Sequence, residues 1–95
     1  MASYVVLMKW TDQGIKSAKE SPSRAEAFGK VCEGLGVRMV GVHWTIGAYD
    51  VVGVLEGPED GVTAALLKLG AAGNVHTQTL RAYSADEFKA ILRKV

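Results

Sequence analysis

Six side chains carry most of the chemistry this sequence offers: His43, His76, Asp50, Tyr49, Trp10 and Trp44. Imidazole works as a general acid or base near neutral pH, a carboxylate orients a donor, and large aromatic rings give an organic ligand contact area. Each type has a plainer use too. An aspartate beside a hairpin commonly accepts from turn N–H groups, tryptophans anchor cores and interfaces, and His43, between Val42 and Trp44 in an apolar run, sits where packing histidines sit. Neither histidine has a partner at metal-ligand spacing, so no metal and no cofactor is expected. No G-x-S-x-G segment is present and Cys32 is the single cysteine, which leaves no disulfide, no redox pair and no activated nucleophile. Gly34 and Gly36 lack the third glycine and the strand-to-helix order of a phosphate-binding loop.

The elements that must position these groups follow from apolar runs and their breaks. Residues 4–10 read as a strand apolar on both faces, closed by Thr11-Asp12-Gln13-Gly14, where Thr11 or Asp12 caps a helical turn reaching about residue 19. Ser21 is the expected N-cap of the next helix, with Pro22 at its first position. Phe28, Val31, Cys32 and Leu35 then form one apolar stripe, and Gly34 and Gly36 end it. Strands are expected over about 37–46 and 49–56, separated by the turn Gly47-Ala48-Tyr49-Asp50. After Gly57-Pro58, Glu59 and Asp60 suit the first turn of a helix whose stripe is Val62, Ala65, Leu66 and Leu69. A fourth strand covers about 75–83. Ser84 and Glu87 form a capping box for a last helix carrying Phe88, Ile91, Leu92 and Val95.

The order βαββαβ plus a terminal helix predicts an α+β, ferredoxin-like fold of strand order 4-1-3-2, with residues 1–95 as one domain. Two helices cover one sheet face and leave the other bare. Strands one to three are apolar on both sides, so the bare faces of two copies are expected to pack together as a dimeric α/β barrel. The topology also sends Trp10, His43, Trp44, Tyr49, Asp50 and His76 to one rim, and Tyr4, Arg38, Glu56, Arg81 and Tyr83 to the other. The first rim is the expected site, with Trp10, Trp44, Tyr49 and Asp50 binding a small organic ligand and His43 or His76 the candidates for proton transfer.

Composition agrees with such an assembly. A chain of 95 residues buries only roughly 60–65% of its unfolded surface, while the mean hydropathy is positive at +0.12. Eleven basic and ten acidic residues are mixed along the chain for a net charge of +1, which leaves no basic stripe for nucleic acid. No apolar stretch reaches the roughly 18 residues of a membrane span, and Met1-Ala2-Ser3-Tyr4 lacks the charge and apolar core of a leader, so a cytoplasmic location is expected.

Gly47-Ala48-Tyr49-Asp50, with residues 10–15 before it and Gly73-Asn74-Val75 and Thr77-Gln78-Thr79-Leu80-Arg81-Ala82 after it, resembles the GYD family nearly end to end. That family comprises small prokaryotic proteins of undefined biochemical activity, so the resemblance implies a fold more than a function. A looser similarity, over about 37–83, is to the effector-binding domain of the leucine-responsive, asparagine-type transcription regulators. It implies small effectors held between subunits near the turn that carries Asp50, and the chain has no room for their DNA-binding domain. By analogy of fold, dimeric α/β barrels also include cofactor-independent monooxygenases and isomerases, the alternative function.

Overall fold

The sheet is built around its first strand. In the computed structural model, which describes residues 1–95, β1 (Ser3–Trp10) lies between two later strands, β3 (Val51–Glu56) and β4 (Val75–Ala82). β2 (Arg38–Trp44) pairs outside β3, giving the expected order β2-β3-β1-β4 with every pair antiparallel. Four helices complete the chain: α1 (Asp12–Lys16), α2 (Ser21–Gly34), α3 (Glu59–Ala71) and α4 (Ala85–Leu92). Helix α2 packs on β2, α3 packs on β4, and the two helices touch each other. This is a mixed α+β domain compatible with the ferredoxin-like arrangement.

Pairing register decides which face each strand residue shares. Val6 and Met8 stand opposite Gly53 and Val51 beneath the helices, and there they form the core with Leu55, Val75, Cys32, Val37, Val62 and Ala65. Val5 and Leu7 stand opposite Val54 and Val52 on the other face, where β4 adds Leu80. No element of the chain crosses that second face, and all five residues keep part of their surface in water.

Helix ends follow local chemistry. Thr11 accepts from the Gly14 N–H and caps α1, as expected. Helix α2 closes in a Schellman motif, with Val37 N–H donating to Cys32 O and Gly36 N–H to Glu33 O, and Gly36 supplies the required left-handed residue at φ +72°. Ser84 and Glu87 form the expected capping box of α4. Ser21 departs from expectation. A 3-10 turn over Ala18–Glu20 runs straight into α2, so Ser21 already has helical angles and caps nothing. Its hydroxyl is used elsewhere, as shown below.

Two strand ends also differ. β2 stops at Trp44 and β3 starts at Val51, which makes the connection six residues, 45–50, rather than a four-residue turn. The Thr45 N–H donates to Asp50 O at 2.8 Å and its hydroxyl to Tyr49 O, closing the loop on itself. Ile46 then stands wholly in solvent instead of in a ladder. Gly47 takes φ +146° at the tip, an angle that side-chain-bearing residues rarely adopt. A bulge between Met39 and Gly41 leaves Val40 unpaired.

Helix α4 carries the expected apolar stripe, but no residue of it is buried and Phe88 and Leu92 stay about half exposed, at 50% and 52%.

Candidate functional site

The expected site residues meet at one end of the sheet, but the sheet divides them. Trp44 stands opposite Val51 and Trp10 opposite Val75, both beneath the helices. His43 stands opposite Val52 on the open face, and His76 stands opposite Lys9 on that same face. The two histidines lie on the two edge strands, three strand spacings apart, or about 14 Å. Tyr49 also belongs to the open face. Its hydroxyl donates to Gln78 Oε1 at 2.6 Å, and Gln78 stands opposite Leu7, so the side chain reaches across β1 to the far strand.

Asp50 sits at the boundary. Its N–H donates to Met8 O at 2.8 Å, continuing the β1–β3 ladder by one bond, and its carboxylate Oδ2 accepts the Trp10 N–H at 2.9 Å. The side chain stands in for the next backbone acceptor that β3 does not supply. An aspartate does this better than an asparagine, because a charge-assisted bond is roughly twice as strong as a neutral one. The carboxylate therefore fixes the end of β1, and with it the start of the Trp10 side chain.

Beneath the helices lies a cavity of about 60 Å³ between α2 and the sheet. Twelve of its sixteen lining residues are hydrophobic, among them Met8, Trp10, Phe28, Met39 and Trp44. Sequence leaves a hole at the middle of this wall. Gly53 faces the core between Val6 and Val42 and has no side chain to fill the space. The Trp44 indole N–H donates to Ser21 Oγ at 2.9 Å, which ties the end of β2 to the first turn of α2. That bond spans 23 residues, and no local pattern announces it. The indole N–H of Trp10 is buried too, and it has no acceptor in the protein.

Arg24 is the one charged residue on the cavity wall, and its guanidinium is already occupied. It donates to Ser17 O at 2.9 Å, Ser17 Oγ at 3.1 Å and Gly14 O at 3.4 Å, bracing α1 against α2. Neither histidine and no carboxylate lines the cavity. No three His, Cys, Asp or Glu side chains converge on one point. Cys32 is fully buried in the core, and burial pushes its thiol pKa above the ordinary value. That suits a small hydrophobe rather than a nucleophile.

The opposite rim is built from charge. Arg38 donates to Glu56 Oε1 at 2.7 Å, and this bond holds the Glu56 carboxyl below its usual pKa. Arg81 stacks on Tyr83 and Tyr4, 4.4 Å and 5.6 Å from the ring centres, and donates to the Ala82 carbonyl. Such exposed pairs add little stability. What sequence reasoning missed is the cavity itself. The signal was Gly53 in the middle of an apolar strand.

Comparison with known proteins completes the description. The family model described as the GYD domain matches residues 4–92. A protein of Thermus thermophilus named "glutamine synthetase and cystathionine beta-lyase binding protein" is 34% identical over 96 residues, an alignment covering 98% of this chain and 100% of the relative. No helix of the chain is long and apolar enough to cross a membrane.

Proposed function

This chain belongs to the GYD domain family, and from that membership we propose that it is a homo-oligomeric binding module that docks onto a metabolic enzyme, a glutamine synthetase or a cystathionine β-lyase. The observation that carries this reading is the relative named for binding those two enzymes, which aligns with nearly the whole of this chain. Self-association is supported by the open sheet face. Val5, Leu7, Val52, Val54 and Leu80 form a continuous apolar surface on three adjacent strands, and two such surfaces packed together make the dimeric α/β barrel. The test mixes the purified chain with each enzyme from its own source organism and follows sedimentation. A faster-sedimenting complex with at least one enzyme is expected, and no complex with either at tens of micromolar refutes the docking.

A second reading, a module that senses a small organic molecule, is favoured by one observation. A buried, unpaired indole N–H belongs to a residue that lines an apolar cavity, and small-molecule sites commonly take this form. The similarity to effector-binding domains points the same way, although Trp10 and Trp44 contribute to this cavity while Tyr49 does not. A thermal-shift screen of amino acids and aromatic acids tests it, and a screen without a single stabilising compound counts against it. The oxygenase or isomerase alternative has less support, because His43 and His76 stand on the sheet face away from the cavity.

A further inference from the structure

We infer that α4 is an exchanged arm: in the homodimer its apolar stripe of Phe88, Ile91, Leu92 and Val95 packs on the second copy rather than on its own chain. The inference rests on the self-association reading and names the element that completes that interface.

Within one chain the stripe has no counterpart. α4 alone among the elements has no other element packed along it, and none of its residues is buried. The charged residues Asp86, Glu87, Lys89, Arg93 and Lys94 all lie off the stripe, the pattern of a helix with one face suited to burial. An isolated helix of eight residues is marginal in water, and the Ser84–Glu87 box fixes only its first turn. Packing of the stripe is what holds such a helix. The arm also stretches the molecule. Its radius of gyration is 14.2 Å, against about 12.4 Å for a compact chain of this length.

Area identifies the partner. A four-stranded face with strands about 4.8 Å apart, each about seven residues long at about 3.3 Å per residue, covers roughly 450 Å². That is little more than half of the roughly 800 Å² that each partner gives to a stable interface. Paired sheet faces alone therefore make a weak dimer. Hydrogen bonds from Lys94 N–H to Ile91 O and from Val95 N–H to Leu92 O carry the turn on to the last residue, so the arm is about 16 Å long and about 10 Å across. Each arm covers roughly 160 Å² of the other copy and buries as much of itself, and two exchanged arms bring each copy close to the standard size. Reach permits the exchange. Sheets packed face to face stand about 10 Å apart, a gap that an arm leaving the end of β4 spans with about one turn to spare. Val40 and Trp44 on β2 and Leu80 on β4 are exposed at the two margins of the sheet and offer it an apolar landing.

Sedimentation equilibrium from nanomolar to tens of micromolar gives the dimer dissociation constant of the full chain and of three variants. Phe88→Glu and Leu92→Glu should each weaken it by about tenfold or more, because both arms lose an apolar anchor. Ala90→Glu makes a like change of charge on the opposite side of the helix and should leave it within about twofold of the parent. All three positions are exposed, so the variants keep the fold, which the dispersion of their amide spectra checks. In a dimer mixed from isotope-labelled and unlabelled copies, a filtered NOE experiment should place the Phe88 ring against protons of the other copy. A parent chain that stays monomeric refutes self-association itself, and the arm with it. A parent dimer unmoved by Phe88→Glu and Leu92→Glu, or a Phe88 ring with contacts only inside its own chain, overturns the exchanged arm and leaves the paired sheet faces standing. An enzyme complex lost in these variants while the dimer persists unchanged assigns the stripe to the enzyme and overturns the inference too.

Discussion

Removing the carboxylate of Asp50 should loosen the end of the central strand by a calculable amount. Oδ2 accepts the Trp10 N–H at 2.9 Å, and no other side chain serves that donor. A hydrogen bond to a charged group contributes about 1.5–3 kcal/mol when buried, and Asp50 and Trp10 are each only partly buried, so solvent replaces part of it. Asp50→Ala should therefore cost about 1–2 kcal/mol. For a domain of this size that lowers Tm by roughly 5–15 °C. Asp50→Asn keeps a neutral acceptor at the same place and should cost about half as much. The backbone of Asp50 holds its bonds to Met8 and Thr45 in both variants, so the loop persists and the difference between them isolates the side chain. The assay is urea unfolding followed by circular dichroism, with protein concentration fixed because association shifts the midpoint. Two results would refute this reasoning: Asp50→Ala within about 0.3 kcal/mol of the parent, or alanine and asparagine variants of equal stability.

Three further outcomes follow from other contacts. A Cβ at Gly14 would lie 1.9 Å from the Asn74 carbonyl oxygen, so Gly14→Ala should cost about 1–3 kcal/mol or more of stability, read as a lower urea midpoint with an unchanged slope. The Arg38 hydrogen bond keeps the Glu56 carboxyl below its ordinary pKa, so the unfolded chain takes up that proton first. Its contribution is complete above the ordinary glutamate value and disappears as pH falls through the lower folded value. In Arg38→Met an NMR titration should show the Glu56 midpoint move upward, and a midpoint left in place would mean Arg38 is not the cause. Leu7→Lys and Val54→Lys each place a charge amid the open apolar face, and light scattering should show a drop in oligomer size relative to the parent at micromolar concentration. A parent protein that is already monomeric there removes the barrel from consideration.

Much of the fold was legible because its cues are local. The apolar stripe ending at Gly36, the Ser84–Glu87 box and the acidic first turn at Glu59 and Asp60 each specify a helix end from a few adjacent residues. The division of the site was not legible, for a physical reason. Val5 and Leu7 are as apolar as Val6 and Met8, and Val52 and Val54 as apolar as Val51 and Leu55, so alternation has no contrast from which to read a face. Burial supplies that contrast only once α2 and α3 have chosen a side. Ser21 shows the same limit at one residue. Its type and the following proline suit an N-cap, but the preceding 3-10 turn extends the helical run by one position, and a tryptophan far along the chain claims the hydroxyl.

Strand β1 gives the arrangement a property that neither face has alone. Its alternate side chains belong to two different environments, Val6, Met8 and Trp10 to the cavity wall and Val5 and Leu7 to the open face on which self-association is proposed, while one backbone carries them all. Neither environment can shift that backbone without shifting the other. Should a molecule in the cavity change the affinity of one copy for another by some factor, association must change the affinity for that molecule by the same factor. The central strand would then act as a balance beam, and occupancy could be read from assembly and assembly from occupancy.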